Sequence, residues 1–234
     1  MSGVLKEKVI SGPGCSSFIT SDQSKIHQIF KEENNILILE RNLNNAIIKA
    51  SEYILRENPD LEFSEAVKFE NVEKTLITKI SSSEEASYLF EDISKIIKMF
   101  CDLFDMKSVW LRLDAIYGPM CPRFHVDSVR CRLVTTYIGP ATQWLPHDFV
   151  DRSKLGHGNE GLSDEDSGLY LNSRQIQQLN VGHIALLKGE GWKGNEARGL
   201  VHRSPHQQGN YKRLYMTIDF IELYYKIYQN RLNT

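Results

Sequence analysis

Nothing in the sequence supplies a membrane span, a basic surface or a disulfide framework. No stretch approaches the ~20 apolar residues that crossing a bilayer takes. The opening MSGVLKEKVISGPG has no uninterrupted apolar run of the kind a secretory signal needs. Basic residues do not dominate either: 28 Lys and Arg stand against 30 Asp and Glu, a formal charge of −2. That balance gives no electrostatic reason to expect nucleic acid or an anionic membrane as partner. Cysteine is scarce. The four residues Cys15, Cys101, Cys121 and Cys131 form no CxxC pair, so reduced thiols and a cytoplasmic location are expected. There is no internal repeat. What remains is a chain of 234 residues, 41% hydrophobic and 25% charged, of ordinary globular composition and long enough for one large domain.

The two halves differ in texture. Ile36–Leu39 reads as a short strand, and from Leu43 the spacing of Leu43, Ile47, Ile48, Ala50, Ile54 and Leu55 predicts a helix. Pro59 ends it, since its ring cannot continue the ladder. A second helix is predicted over 84–104, with Ser82 or Ser83 as N-cap, leading glutamates at its positive end and a buried face from Leu89 to Phe104. After Asp105 the pattern turns to short β-branched and aromatic runs: SVWLRLDAIYG, RFHVDSV, CRLVTTYIG, GHIALLKGE, GLVHRS and RLYMTIDFIELYY. Such runs with glycine-rich connections predict an antiparallel sandwich or barrel. The long polar stretch DRSKLGHGNEGLSDEDSG reads as a functional or mobile loop, with DEDSG and His157 solvated. The expected division is a helical region over 1–107 that buttresses a β-rich metal-binding region over 108–234.

The stretch CPRFHVDSVRCR carries the chemistry. In a strand, residues two apart share a face, so His125 and Asp127 converge while Val126 points away. A neutral imidazole beside a carboxylate suits a divalent transition metal. Downstream, GLVHRSPHQQGNYKRLYMTID places His202 at the end of a strand-like run and Arg213 eleven positions later.

This order resembles the iron(II)- and 2-oxoglutarate-dependent dioxygenases over roughly residues 108–223. The resemblance implies a double-stranded β-helix, a jelly roll of two facing sheets, with the N-terminal helices packed on it. It implies His125, Asp127 and His202 as iron ligands and Arg213 as the residue that holds the far carboxylate of 2-oxoglutarate. RLYMT resembles an Arg-x-x-x-Thr stretch of prolyl-hydroxylase-like members, adding Thr217, and Tyr137 falls where some members offer a hydroxyl to the same co-substrate. The implied activity is an oxygenase acting on a small molecule or a protein side chain. The phrases CPRFHVD, CRLVTTYIGP and LVHRSP resemble, more narrowly, a bacterial domain family of unknown function, often encoded near zinc-homeostasis genes.

Other readings stand beside this one. Cys121 and Cys131 lie close to the ligands, and thiolate favours zinc; a non-enzymatic zinc-binding protein on the same fold is the alternative. His202 can be a hydrogen-bonded core histidine, and Arg213 can pair with Asp219 or Glu222. Trp144, His147 and Trp192 are candidates either for lining a substrate pocket or for packing.

Overall fold

The helical stripe from Leu43 becomes α1 (Asn45–Glu57), started by the Asn44 side chain, which accepts from the Ile47 N–H, and closed just before Pro59. The predicted second helix begins with a 3-10 turn at Glu84–Ala86, capped by Ser83, and runs on as α3 (Ser87–Phe104). A third helix, α2 (Val72–Lys79), lies between them. Its two buried residues, Val72 and Leu76, make too thin a stripe to announce a helix from sequence. Among the described residues, no helix is long and apolar enough to cross a membrane.

The computed structural model describes residues 8–11, 16–118, 120–205 and 211–221. The strands are β1 (Lys8–Ser11), β2 (Ser16–Thr20), β3 (Asn34–Leu39), β4 (Glu62–Lys68), β5 (Ser108–Tyr117), β6 (Cys131–Ile138), β7 (Gln143–Leu145), β8 (Gln177–Gln178), β9 (Ile184–Lys188), β10 (Val201–Arg203) and β11 (Lys212–Asp219). They form an eight-stranded sheet in the order β1-β2-β3-β9-β6-β11-β5-β4 and a three-stranded sheet in the order β10-β7-β8. The architecture is mixed α and β, rich in sheet.

Strand alternation sorts the large sheet into two buried faces. Leu111 and Leu113 of β5, Leu133 of β6, Leu186 of β9 and Leu214, Met216 and Ile218 of β11 pack with the apolar faces of the three helices. On the other face, Ile36 and Ile38, Val134, Ala185 and Leu187 meet Trp144 of the small sheet. A strand buried on both faces needs no polar alternation, which is why β9 reads IALLK and is buried throughout.

The division expected at residue 107 is not a structural boundary. β1 to β3 extend one side of the β9-β6-β11-β5 core and β4 forms the other edge, so the first hundred residues contribute strands as well as helices to the same sheet. The expected strand RFHVDSV is also corrected: only His125 pairs, as a single bridge to His202. Of the RLYMTIDFIELYY strand, the part up to Asp219 is β11; Glu222 and Cys15 lie outside the described residues.

Candidate metal centre

His125 and His202 are brought together by the backbone. Each donates its N–H to the other's carbonyl at 3.0 Å, so the segment carrying His125 adds to the edge of β10. Asp127 leaves the ladder at once, because its carbonyl accepts from the Glu190 N–H at 2.9 Å. The turn after β9 packs tightly there: a Cβ on Gly189 would stand 2.5 Å from the Asp127 oxygen, closer than atoms tolerate. Gly189→Ala should therefore displace the Asp127 backbone and weaken metal binding, read by titration of a divalent ion.

The three side chains converge. One donor atom from each of His125, Asp127 and His202 lies within 4.8 Å of the others. His125 Nε2 stands 3.9 Å from Asp127 Oδ1, and His202 Nε2 3.5 Å from Asp127 Oδ2. Both Nδ1 atoms face backbone carbonyls, of Arg123 at 2.9 Å and Leu200 at 3.1 Å. A carbonyl only accepts, so each Nδ1 carries a proton, which leaves each Nε2, facing Asp127, as the nitrogen that can bind an ion. That is the tautomer a metal ligand needs. His202 is buried while the His125 side chain is 36% exposed, so the cluster opens to solvent on the His125 side.

Charge in the cluster is set by burial and by one arginine. Burial holds His202 down at about 4, so its imidazole is neutral near pH 7. For Asp127, burial works against ionisation, but attraction to His202 when that ring is protonated, to Arg132 and to His125 outweighs it and holds its carboxyl below the usual range. A depressed histidine has a definite sign in linkage. Between its ordinary value near 6.5 and about 4 the unfolded chain binds the extra proton. The metal-free protein should thus lose stability as pH falls through that window and keep it above pH 6.5, a trend that denaturant midpoints taken between pH 7 and pH 4 will show.

Sequence reasoning missed Arg132. Its Nη1 donates to Asp127 Oδ2 and its Nε to the buried Asp219 Oδ1, both at 2.8 Å. Asp219 is therefore not the partner of Arg213. Arg213, 1% exposed, makes one long contact to Ser204 Oγ at 3.5 Å, while its Nε and Nη2 find no partner among the described residues. Its guanidinium carbon stands 4.7 Å from the Tyr215 ring, and burial pushes its pKa down. Arg213, Tyr215, Thr217 and Asp219 alternate onto one face of β11, and the Thr217 hydroxyl is likewise buried without a partner among the described residues. That face continues onto β5, where Ile116, Asp114 and Arg112 pair with Arg213, Tyr215 and Thr217. There a cleft of about 470 Å³ opens, lined by Glu62, Arg112, Asp114 and Ile116 among others.

Tyr137 lies elsewhere. It packs in the helix-side core and donates its hydroxyl to Asp92 at 2.8 Å, and Asp92 also holds Arg41. The expectation that it serves the co-substrate is corrected, because β6 turns Arg132 and Val134 toward the small sheet and Tyr137 away from it. Tyr137→Phe should cost about 1.5–3 kcal/mol of stability by denaturant midpoint, the usual worth of a bond to a charged group.

The remaining candidates fall as follows. Trp144 is buried between the sheets and Trp192 packs with Phe30 and Phe104 on the helix side, so both are packing residues. His147 is partly buried with its Nδ1 unpartnered among the described residues, and His157 is exposed. Cys131 is fully buried in the helix-side core and Cys121 is exposed; neither joins the cluster. DEDSG is not simply solvated. Asp164 is buried, accepting from the Phe124 N–H at 2.9 Å and from Arg203 Nη1 at 3.1 Å, which ties the long loop to the residues next to both histidines.

The profile of a family described as "Protein of unknown function (DUF1826)" matches residues 20–219. The chain belongs to the DUF1826 family. No curated protein matches the sequence of this DUF1826 member. Among solved structures it is similar to the Arabidopsis thaliana dioxygenase for auxin oxidation 1 in its 2-oxoglutarate complex, at 10% identity and TM-score 0.47, covering 85% of this chain and 86% of that one. It is similar also to a Pseudomonas putida prolyl-4-hydroxylase, at 8% identity and TM-score 0.46, covering 85% and 98%. The dioxygenase for auxin oxidation of rice gives 7% identity and TM-score 0.47, covering 80% and 73%. At such identities and scores, the function of this DUF1826 protein has to be argued from its own side chains.

Proposed function

We propose that this protein is an iron(II)- and 2-oxoglutarate-dependent oxygenase, with His125, Asp127 and His202 holding the metal and Arg213 the co-substrate. The strand order supports the fold this requires. In chain order, β5, β6, β9 and β11 enter the large sheet, while the His125 segment, β7, β8 and β10 lie in or beside the small one. The three strands of the small sheet and the bridged His125 segment lie opposite four strands of the large one, and a chain that crosses between the sheets in this order is what a double-stranded β-helix needs, with β1 to β4 widening the large sheet.

The donor set fits the metal. Two imidazoles and one carboxylate on one side of an ion leave the opposite positions free, as non-haem iron(II) oxygenases require. When bound, the metal would supply the activation of dioxygen that oxidises 2-oxoglutarate and a substrate C–H bond together.

The observation that carries the reading is Arg213. A buried guanidinium with no carboxylate partner among the described residues is costly unless a ligand supplies one, and its planar fork matches a carboxylate in two hydrogen bonds. A zinc store has no use for such a group, and the cluster contains no thiolate among the described residues. The Thr217 hydroxyl on the same strand face, without a partner among the described residues, adds a donor for the same ligand. The cleft on β4 and β5 is where we place the substrate, a small molecule or a protein side chain.

The test is turnover. Iron-loaded protein incubated with 2-oxoglutarate and ascorbate in air should slowly form succinate and carbon dioxide even without substrate, with ascorbate supplying the two electrons that the substrate would otherwise give, and the conversion should stop when the metal is chelated. Tightly held zinc, with no iron-dependent consumption of 2-oxoglutarate, would contradict the proposal.

A further inference from the structure

We infer that Arg132 is a positioning residue that holds one oxygen of Asp127 and leaves the other to the metal, an inference that rests on the metal-centre reading above. Asp127 sits outside any strand, so no ladder orients its side chain. Its backbone is fixed by the Glu190 N–H, and its Oδ2 by Arg132 Nη1 at 2.8 Å. A carboxylate free to rotate can offer both oxygens to an ion and occupy a position that the co-substrate needs. A carboxylate held at one oxygen offers a single donor.

Arg132 itself is placed by its strand. It alternates on β6 with Cys131 and Leu133, which face the helices, and so points toward the small sheet. Its second contact, Nε to Asp219 Oδ1 at 2.8 Å, ties β6 to β11, whose same face carries Arg213. Asp219 is fully buried, so it anchors the guanidinium at Nε while Nη1 faces Asp127. One fork thus sets the angle of the carboxylate ligand from the strand next to the one that carries the anion clamp.

Cobalt(II) titration with visible absorption reads the arrangement directly, since both affinity and ligand-field bands depend on how the donors are held. Wild-type protein should bind one ion. The Arg132→Met/Asp219→Asn double variant removes both members of the charge pair together and should bind ten- to hundredfold more weakly, as loss of an outer partner usually does, with altered bands. Arg132→Lys keeps the charge but reaches only one of the two carboxylates, so it should fall between and decides the matter if the double variant does not fold. Wild-type binding with unchanged affinity and bands in the folded variants overturns the inference alone, even if their melting temperatures drop. Wild-type protein that binds no cobalt overturns the metal centre and this inference with it.

Discussion

Arg213→Leu is expected to weaken 2-oxoglutarate binding roughly ten- to hundredfold, because a charge-assisted hydrogen bond is worth about 1.5–3 kcal/mol when sheltered from water. The metal should bind as in the wild type, since Arg213 contacts none of the three ligand residues. Fold stability makes the prediction sharper. Most buried arginines lose an ion pair when truncated, but the Nε and Nη2 of this one have no partner among the described residues. Removing the charge therefore removes a desolvation penalty as well as a side chain. The leucine variant should be at least as stable as the parent in the absence of ligand, by denaturant midpoint. Loss of stability with undiminished 2-oxoglutarate affinity would mean that Arg213 serves the fold.

The second large effect belongs to the ligands. His125→Ala should reduce divalent metal binding by more than the roughly 10–100-fold that outer-shell changes cost, since it deletes a donor. His125 suits the test better than His202. Its side chain is 36% exposed while that of His202 is 7%, so its truncation should leave metal-free stability within about ±0.5 kcal/mol, as for ordinary surface changes. A folded His125→Ala protein that still binds one ion at wild-type affinity would remove His125 from the site.

The sequence showed the chemistry more plainly than the scaffold beneath it. His125 and Asp127 were legible through their spacing, and they do converge, but not as strand neighbours; a single bridge and a glycine turn from β9 place them, and neither leaves a periodic trace. Its distance from His202 singles out Arg213, which is buried with Nε and Nη2 unpartnered among the described residues. Tyr137 was misread although parity held the answer. On β6 it shares a side with Cys131 and Leu133, which pack on the helices, while Arg132 takes the other side. Arg132 itself looked like one more surface charge, because only the pairing of β6 with β11 shows that Asp219 awaits it. The buried role of Asp164 was hidden by its acidic neighbours. β4 escaped notice since just Phe63 and Val67 of its seven residues are fully buried, and the large sheet therefore looked smaller than it is.

The most direct measurement is an anaerobic titration: iron(II) into metal-free protein, then 2-oxoglutarate, followed by the visible charge-transfer absorption that appears when the keto acid chelates the iron. The account predicts one iron per chain and a saturable band, lost in His125→Ala and shifted to much higher 2-oxoglutarate concentration in Arg213→Leu. Iron that fails to saturate at one site, or a 2-oxoglutarate response indifferent to Arg213, would contradict it.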